Sequence, residues 1–144
     1  MSNLNRAIAI AAEAHAGQEK AGEPYILHPL RVMINLDTTD ERTAGVLHDV
    51  VERNPAWPIT VLRAEGFPEH ILAAVDAVTR REDEAYEAFV LRAGQNELGR
   101  RIKLADLGDN LRTARSLPPS AKILKKIAKH EKAQAMLVAW PPST

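Results

Sequence analysis

His48 and Asp49 stand side by side within an apolar, helix-forming segment, where burying a carboxylate without a partner is costly. Side chains of successive helical residues point about 100° apart, so both groups reach one ligand only if it lies between their directions. Glu52 follows His48 by one helical turn and shares its face. A second group, Asp106, Asp109 and Asn110 with Thr113, runs at helical spacing, while Leu104, Leu107 and Leu111 form a different stripe. A helix that packs its leucines and still presents carboxylate, amide and hydroxyl together makes one wall of a polar pocket. Taken singly, these residues have ordinary roles. His28 before Pro29 reads as an exposed residue at a helix start, His48-Asp49 as a satisfied core hydrogen bond, and Asp106 as part of a solvated face.

Composition narrows the chemistry. The 144 residues include 19 basic and 19 acidic side chains, so no net field favours nucleic acid or an anionic membrane, and phosphate recognition has to be local. The absence of cysteine excludes disulfides and thiolate metal sites, leaving imidazole and carboxylate as strong ligands. The Ala/Ile-rich N-terminal stretch carries Glu13 and His15 and reads poorly as a signal peptide, so a cytoplasmic protein is expected. Length points to one domain over residues 1–144.

The elements that position these groups read as helices throughout, because apolar residues return at helical spacing and no strand-like alternation persists. Leu4, Ile8, Ala11 and His15 stripe a first helix that ends near Gly17. Gly22-Glu23-Pro24-Tyr25 has turn composition, and Pro29 suits the first turn of a second helix with His28 at its start. Thr38 and Glu41 form a capping box that starts a third helix running through Ala44, Leu47, Val50 and Val51 to Asn54-Pro55. Thr60 is a candidate cap for a short helix stopped by Gly66, and Pro68 opens another with Ile71, Leu72, Val75 and Val78. Tyr86, Phe89 and Val90 mark the next, followed by the Leu104–Leu111 helix, in which Gly108 suggests a close approach. Ser120 caps a final amphipathic helix with Ile123, Ile127 and Leu137 on its inner face. The fold class is all-α, a single helical bundle.

Three segments in order, AHAGQEKAGEPYILHP, LHDVVE and IKLADLGDNLRT, resemble motifs of the hydrolase domain of the RelA/SpoT alarmone enzymes, an HD-type domain, and span residues 14 to 113. The resemblance implies His28, His48, Asp49 and Asp106 as metal ligands. It implies manganese, where the residue types alone leave iron, cobalt and zinc open. It also implies Glu52 as the acidic residue that positions or deprotonates water, and Lys20, Asn110 and Thr113 as substrate contacts, with Arg112 a further match that also serves to anchor its helix. The activity implied is hydrolysis of the 3′-diphosphate of guanosine alarmones, (p)ppGpp, to pyrophosphate and GDP or GTP. The partner is then a small-molecule nucleotide, not nucleic acid or membrane. The expected likeness is to the small, stand-alone alarmone hydrolases, since alarmone synthesis needs a further domain.

Two positions depart from the family. Arg53 stands where an aspartate usually follows the catalytic glutamate, and Glu19-Lys20 stands where Arg-Lys is usual. Arg53 either impairs water activation or supplies a guanidinium contact to phosphate, and is counted with Glu52 among the catalytic candidates. Loss of the first basic residue at 19 removes a partner for the purine face. Adenosine alarmones or another phosphate ester therefore stand as alternative substrates, and a nucleotide-binding regulator with an impaired site as a non-enzymatic alternative. Oligomeric state has no signal in the sequence.

Overall fold

In a computed structural model, residues 3–142 are described. The ends of the expected 1–144 domain lie outside the described residues. The chain runs α1 (Leu4–Ala14), β1 (Glu19–Lys20), β2 (Glu23–Pro24), α2 (Leu27–Ile34), α3 (Thr39–Leu47), α4 (Val50–Arg53), α5 (Ile59–Ala64), α6 (Glu69–Ala77), α7 (Tyr86–Gln95), α8 (Glu97–Ser116) and α9 (Ala121–Val138). The helical bundle expected from periodicity is thus present. Its one addition is a two-stranded antiparallel ladder that pairs Glu19 with Pro24 and Lys20 with Glu23. Ala21 and Gly22 both take positive φ at its tip, 52° and 79°, which makes a hairpin tight enough to close over two residues. The ladder fixes Lys20 and Tyr25 relative to α1, since the Tyr25 N–H donates to the Gln18 carbonyl at 2.8 Å.

The main core joins α1, α2, α3, α5, α6 and α8 through Ile10, Val32, Leu47, Leu62, Ile71 and Ile102, all fully buried. A smaller cluster of Val90, Leu107, Ala133 and Leu137 joins α7, α8 and α9. Helix α8 belongs to both. Its apolar positions are spent on two different partners, and the arc between them, carrying Lys103, Asp106 and Asp109, is buried against the loop side of α2 and α3. That arrangement takes polar groups out of water and obliges them to find one another.

Three sequence expectations need correction. The third helix is not continuous: it stops at Leu47 and restarts at Val50. In an unbroken helix the Gly45 carbonyl would accept from the Asp49 N–H. Here it accepts instead from the His48 N–H at 3.3 Å and from His48 Nδ1 at 2.7 Å, so the imidazole competes with the ladder and the turn opens. Thr60 does not cap α5, because Pro58 occupies the N-cap position and Thr60 falls inside the first turn. Gly108 marks no close approach, since a methyl group there would meet nothing within 4 Å. Close approaches occur instead at Gly45, where an added Cβ would lie 2.5 Å from the Leu36 side chain, and at Gly94, where it would lie 2.1 Å from the Trp140 ring.

The capping box at the start of α3 is present, with Thr38 Oγ1 accepting from the Glu41 N–H at 3.1 Å. Glu41 does more than cap. Its Oε1 accepts from the Asp37 N–H at 3.0 Å and its Oε2 from Arg101 of α8 at 2.7 Å, so one buried carboxylate ties the His48-bearing helix to the Asp106-bearing one. The bond from the Asp37 backbone, helped by Arg101 and opposed by burial, holds this carboxyl below its usual range. Glu41→Ala is expected to lower stability by about 1–2 kcal/mol in denaturant titrations. A depressed carboxyl contributes its stability in full above the ordinary carboxylate value and loses it as pH falls through the depressed one. The stabilities of variant and wild type should therefore converge in acid.

Candidate metal centre

His28 enters from the first turn of α2, His48 and Asp49 from the break between α3 and α4, and Asp106 from the middle of α8. Their ligand atoms all lie within 4.8 Å of one another. Asp106 Oδ1 is 2.9 Å from His28 Nε2 and 3.2 Å from His48 Nε2, and Asp49 Oδ2 is 3.1 Å from His48 Nε2 and 3.5 Å from His28 Nε2. The helix break accomplishes what a regular helix would resist, bringing adjacent side chains to one point.

The outer nitrogen of each imidazole is already committed. His48 Nδ1 donates to the Gly45 carbonyl, and His28 Nδ1 donates to Asp109 Oδ2 at 2.7 Å. Asp109 in turn is gripped by Arg31, whose Nε and Nη2 reach its two oxygens at 2.7 and 3.3 Å. Burial alone would raise the Asp109 carboxyl, but the bonds from His28 and Arg31 outweigh it and leave it at about 2. With Nδ1 of both rings protonated, two Nε2 lone pairs face two carboxylates, an arrangement that requires positive charge between them. A bound proton is one answer: burial would lower His48, but Asp49 and Asp106 raise it to about 10. A divalent cation is the other, and a buried His/His/Asp/Asp donor set with carboxylate and carbonyl groups behind the imidazoles fits one.

Asp106 also accepts from Lys103 Nζ at 2.9 Å and from Asn110 Nδ2 at 3.2 Å. Burial would raise its carboxyl, but the Lys103 charge and the contacts from His28 and His48 hold it well below the usual range. The Tyr25 hydroxyl donates to Asp49 Oδ2, and burial together with that charge raises the phenol, so it stays a donor. These groups open onto a cavity of about 170 Å³ that Glu52, Lys20, Asn110 and Arg80 also line. Glu52 Oε1 accepts from the Arg80 N–H at 2.8 Å. Desolvation, opposed by that bond and reinforced by Asp49, raises the Glu52 carboxyl.

Comparison with known proteins adds an independent observation. The chain is 31% identical over 140 residues to a probable GTP pyrophosphokinase of Mycobacterium leprae, 32% over 123 residues to a guanosine-3′,5′-bis(diphosphate) 3′-pyrophosphohydrolase of Aquifex aeolicus, and 30% over 138 residues to the bifunctional (p)ppGpp synthase/hydrolase SpoT of Escherichia coli. The chain is a RelA/SpoT-like HD domain. The matches cover 87%, 76% and 85% of it, but only 17%, 17% and 19% of those relatives, so the chain spans about a fifth of their length. No family model matches.

Within this RelA/SpoT-like domain, His28, His48, Asp49 and Asp106 come together, with Glu52, Lys20 and Asn110 on the same cavity. Lys20 Nζ donates to Asn110 Oδ1. Thr113 lies one turn beyond Asn110 and lines a smaller adjoining hollow with Lys20 and Lys126. Arg112 lines another hollow, with Arg31 and Ser116. Arg53 does not line the metal cavity: its guanidinium carbon sits 3.9 Å from the centre of the Tyr25 ring and its Nε donates to Gln18. Sequence reasoning placed Asp109 on the pocket wall but missed it as the partner of His28, and it missed Arg31, Lys103 and the Tyr25 hydroxyl. Helical spacing held the signals, since Arg31 follows His28, and Asp106 follows Lys103, by three residues.

Asp109→Asn should reduce affinity for a divalent cation about 10- to 100-fold, as loss of a carboxylate behind a ligating imidazole does, without removing any of the four inner groups. Because His48 carries a proton below about 10, metal uptake should release a proton and tighten as pH rises. Calorimetric titration in two buffers of different ionisation enthalpy checks both.

Proposed function

We propose that this domain hydrolyses the 3′-diphosphate of guanosine alarmones, releasing pyrophosphate and leaving GDP or GTP. The observation that carries the reading is the His28/His48/Asp49/Asp106 group facing Glu52 across one cavity. Relatives with hydrolase names support it, although others are named pyrophosphokinase. Manganese is the cation we assign to the group, and a small nucleotide in the cytoplasm its partner. No described helix is long and apolar enough to cross a membrane. We further propose that the catalytic unit takes in the whole of residues 1–144.

When bound, the cation supplies Lewis acidity toward a phosphate oxygen and eases ionisation of water. The residues do the rest. His28 and His48 hold their Nε2 atoms inward, steadied by Asp109 and Gly45. Glu52 takes a proton from water as its oxygen adds to the phosphorus attached to the 3′ oxygen. The bond from that phosphorus to the 3′ oxygen breaks, pyrophosphate leaves, and Glu52 gives the proton it took from water to the 3′ oxygen, returning to its starting form. Lys20 and Lys103 place positive charge beside the phosphate oxygens, and Asn110 orients Lys20. Thr113 contacts substrate from the adjoining hollow.

A second substrate reading, adenosine alarmones or another phosphate ester, draws on Glu19 and Arg53. Arg53 lies over Tyr25 and does not line the cavity that Glu52 lines, which favours a working site over a disabled one. Product analysis with manganese-loaded protein, guanosine and adenosine alarmones and ordinary nucleotides tests the proposal. Pyrophosphate release from the guanosine alarmone, lost in His48→Ala and Asp49→Ala, is expected, and release of terminal monophosphate from common nucleotides would overturn it.

Glu52→Gln should lower kcat roughly 10²- to 10⁴-fold while metal uptake persists. A base must be deprotonated to act and burial raises Glu52, so the acid limb of the rate profile should lie above the usual carboxylate range and vanish in the variant.

A further inference from the structure

We propose that Arg92, which does not line the metal cavity, is a positioning residue for Glu52 and acts on it through the single peptide group that joins Thr79 to Arg80. The geometry stands by itself, while its bearing on catalysis rests on the hydrolase reading.

That peptide group presents its two polar ends to two different side chains. The Thr79 carbonyl accepts from Arg92 Nη2 at 2.7 Å, and the Arg80 N–H donates to Glu52 Oε1 at 2.8 Å. A peptide unit is planar, with its carbonyl and N–H pointing in opposite directions, so fixing one end fixes the aim of the other. A cation on the carbonyl also polarises the unit and strengthens its N–H as a donor. Among the described residues this N–H is the one hydrogen-bond donor to Glu52. Oε1 is thereby occupied, and Oε2 is left to take the proton of an attacking water.

No regular element holds the peptide group in place. Residues 78–85 connect α6 to α7 without helix or strand, and Asp83 takes a positive φ of 63°. Arg92, in the second turn of α7, supplies the order. Its Nη1 donates to the Asp76 carbonyl at 2.9 Å, and its Nε and Nη2 grip the two oxygens of Glu84, each at 2.9 Å. One guanidinium therefore ties together the exit of α6, the peptide group and the far end of the loop, as a planar fork can and an ammonium cannot. Glu84 passes the constraint on, since its Oε1 accepts from the Arg81 N–H and its carbonyl from Arg80 Nε, both at 3.1 Å. Arg92 and Glu84 are 20% and 13% exposed, so water screens this pair far less than the surface pair of Arg63 with Glu69, at 51% and 71%.

Arg92 bonds to none of the charged groups that line the cavity with Glu52, which are Lys20, His28, Asp49, Arg80, Lys103 and Asp106. The phenols there, Tyr25 and Tyr86, are raised by burial and stay neutral. Replacing Arg92 thus leaves those groups in place and reaches Glu52 through the peptide group alone. The N–H bond opposes the rise that burial imposes on Glu52, so loosening it raises the carboxyl further and moves the acid limb of kcat to higher pH.

The test uses full-length, manganese-loaded protein with Arg92→Ala and, to retain the charge and guard folding, Arg92→Lys, both checked by circular dichroism. On the guanosine alarmone, kcat should fall about tenfold in Arg92→Ala and less in Arg92→Lys, with KM and metal affinity unchanged and the acid limb moved up in both. Added to Glu52→Gln, Arg92→Ala should cost nothing more, because the two residues act through one bond. An unmoved acid limb in both variants, or a loss that adds in full to that of Glu52→Gln, would overturn the proposal. NMR of the Arg80 amide in zinc-loaded protein reads the bond without turnover: its proton signal should follow Glu52 ionisation in wild type and lose that dependence in Arg92→Ala. That result in a protein that hydrolyses no alarmone sustains the positioning and removes the hydrolase. Turnover with an amide signal indifferent to Arg92→Ala overturns the positioning and leaves the hydrolase in place.

Discussion

The Asp106 carboxylate sets the terms for the rest of the molecule. It lies in the interior on α8 and draws on four side chains from three regions of sequence: His28, His48, Lys103 and Asn110. An ionised carboxylate taken out of water is tolerable only with such company and with positive charge shared among them, so α2, the end of α3 and α8 are held to positions where those side chains converge. Its two oxygens are also divided. Lys103 takes Oδ2, seated 4.6 Å from the centre of the Phe89 ring, and the two histidines share Oδ1. One oxygen serves the scaffold and the other serves the centre.

The break between α3 and α4 follows from the same demand. A regular helix would aim His48 and Asp49 apart, and the chain gives up one ladder bond to aim them together. The loss is covered locally, because the imidazole that disrupts the ladder also satisfies the Gly45 carbonyl. Around this turn, buried Leu47 and Val50 keep both flanking segments pressed on the core, so the irregularity sits between two anchored points. Tyr25 closes it from the other side. Its hydroxyl holds Asp49, its ring lies against His15, and the hairpin fixes its backbone. The turn that reads as mere punctuation in the sequence is thus part of the support for a ligand.

Much of this was legible because it repeats at helical spacing. The order of the helices, the Thr38 capping box, the start of α6 at Pro68 and the Ser120 cap of α9 all follow from local chemistry, and the fold uses them as expected. The four inner residues were named from motifs, and the chain brings them together. What sequence could not display is competition between local and distant partners. Nothing local says that His48 will take the Gly45 carbonyl from the helix, or that Asp109 will serve His28 and Arg31 at once. Gly108 shows the converse, a residue that looks meaningful in isolation but meets only open space. Arg53 could be read in two directions from its position, and its stacking on Tyr25 depends on a side chain distant in sequence.

A net charge of zero conceals a segregation that composition cannot report. Many acidic side chains serve one of two uses: surface and core pairs with arginine, as at Glu41, Glu65, Glu69 and Glu84, and the inner group at Asp49 and Asp106. Once those pairs are made, the positive charge left over gathers where α9 overhangs the hairpin. A cavity acidic and cation-seeking at one end, with a basic and anion-seeking neighbour, has a built-in direction. That direction is set by a field that depends on the placement of pairs elsewhere in the fold. Which cations remain unpaired at the rim is decided by those distant pairs rather than by the inner His/Asp group, and Arg53, held on the Tyr25 ring and on Gln18, stands at such a position.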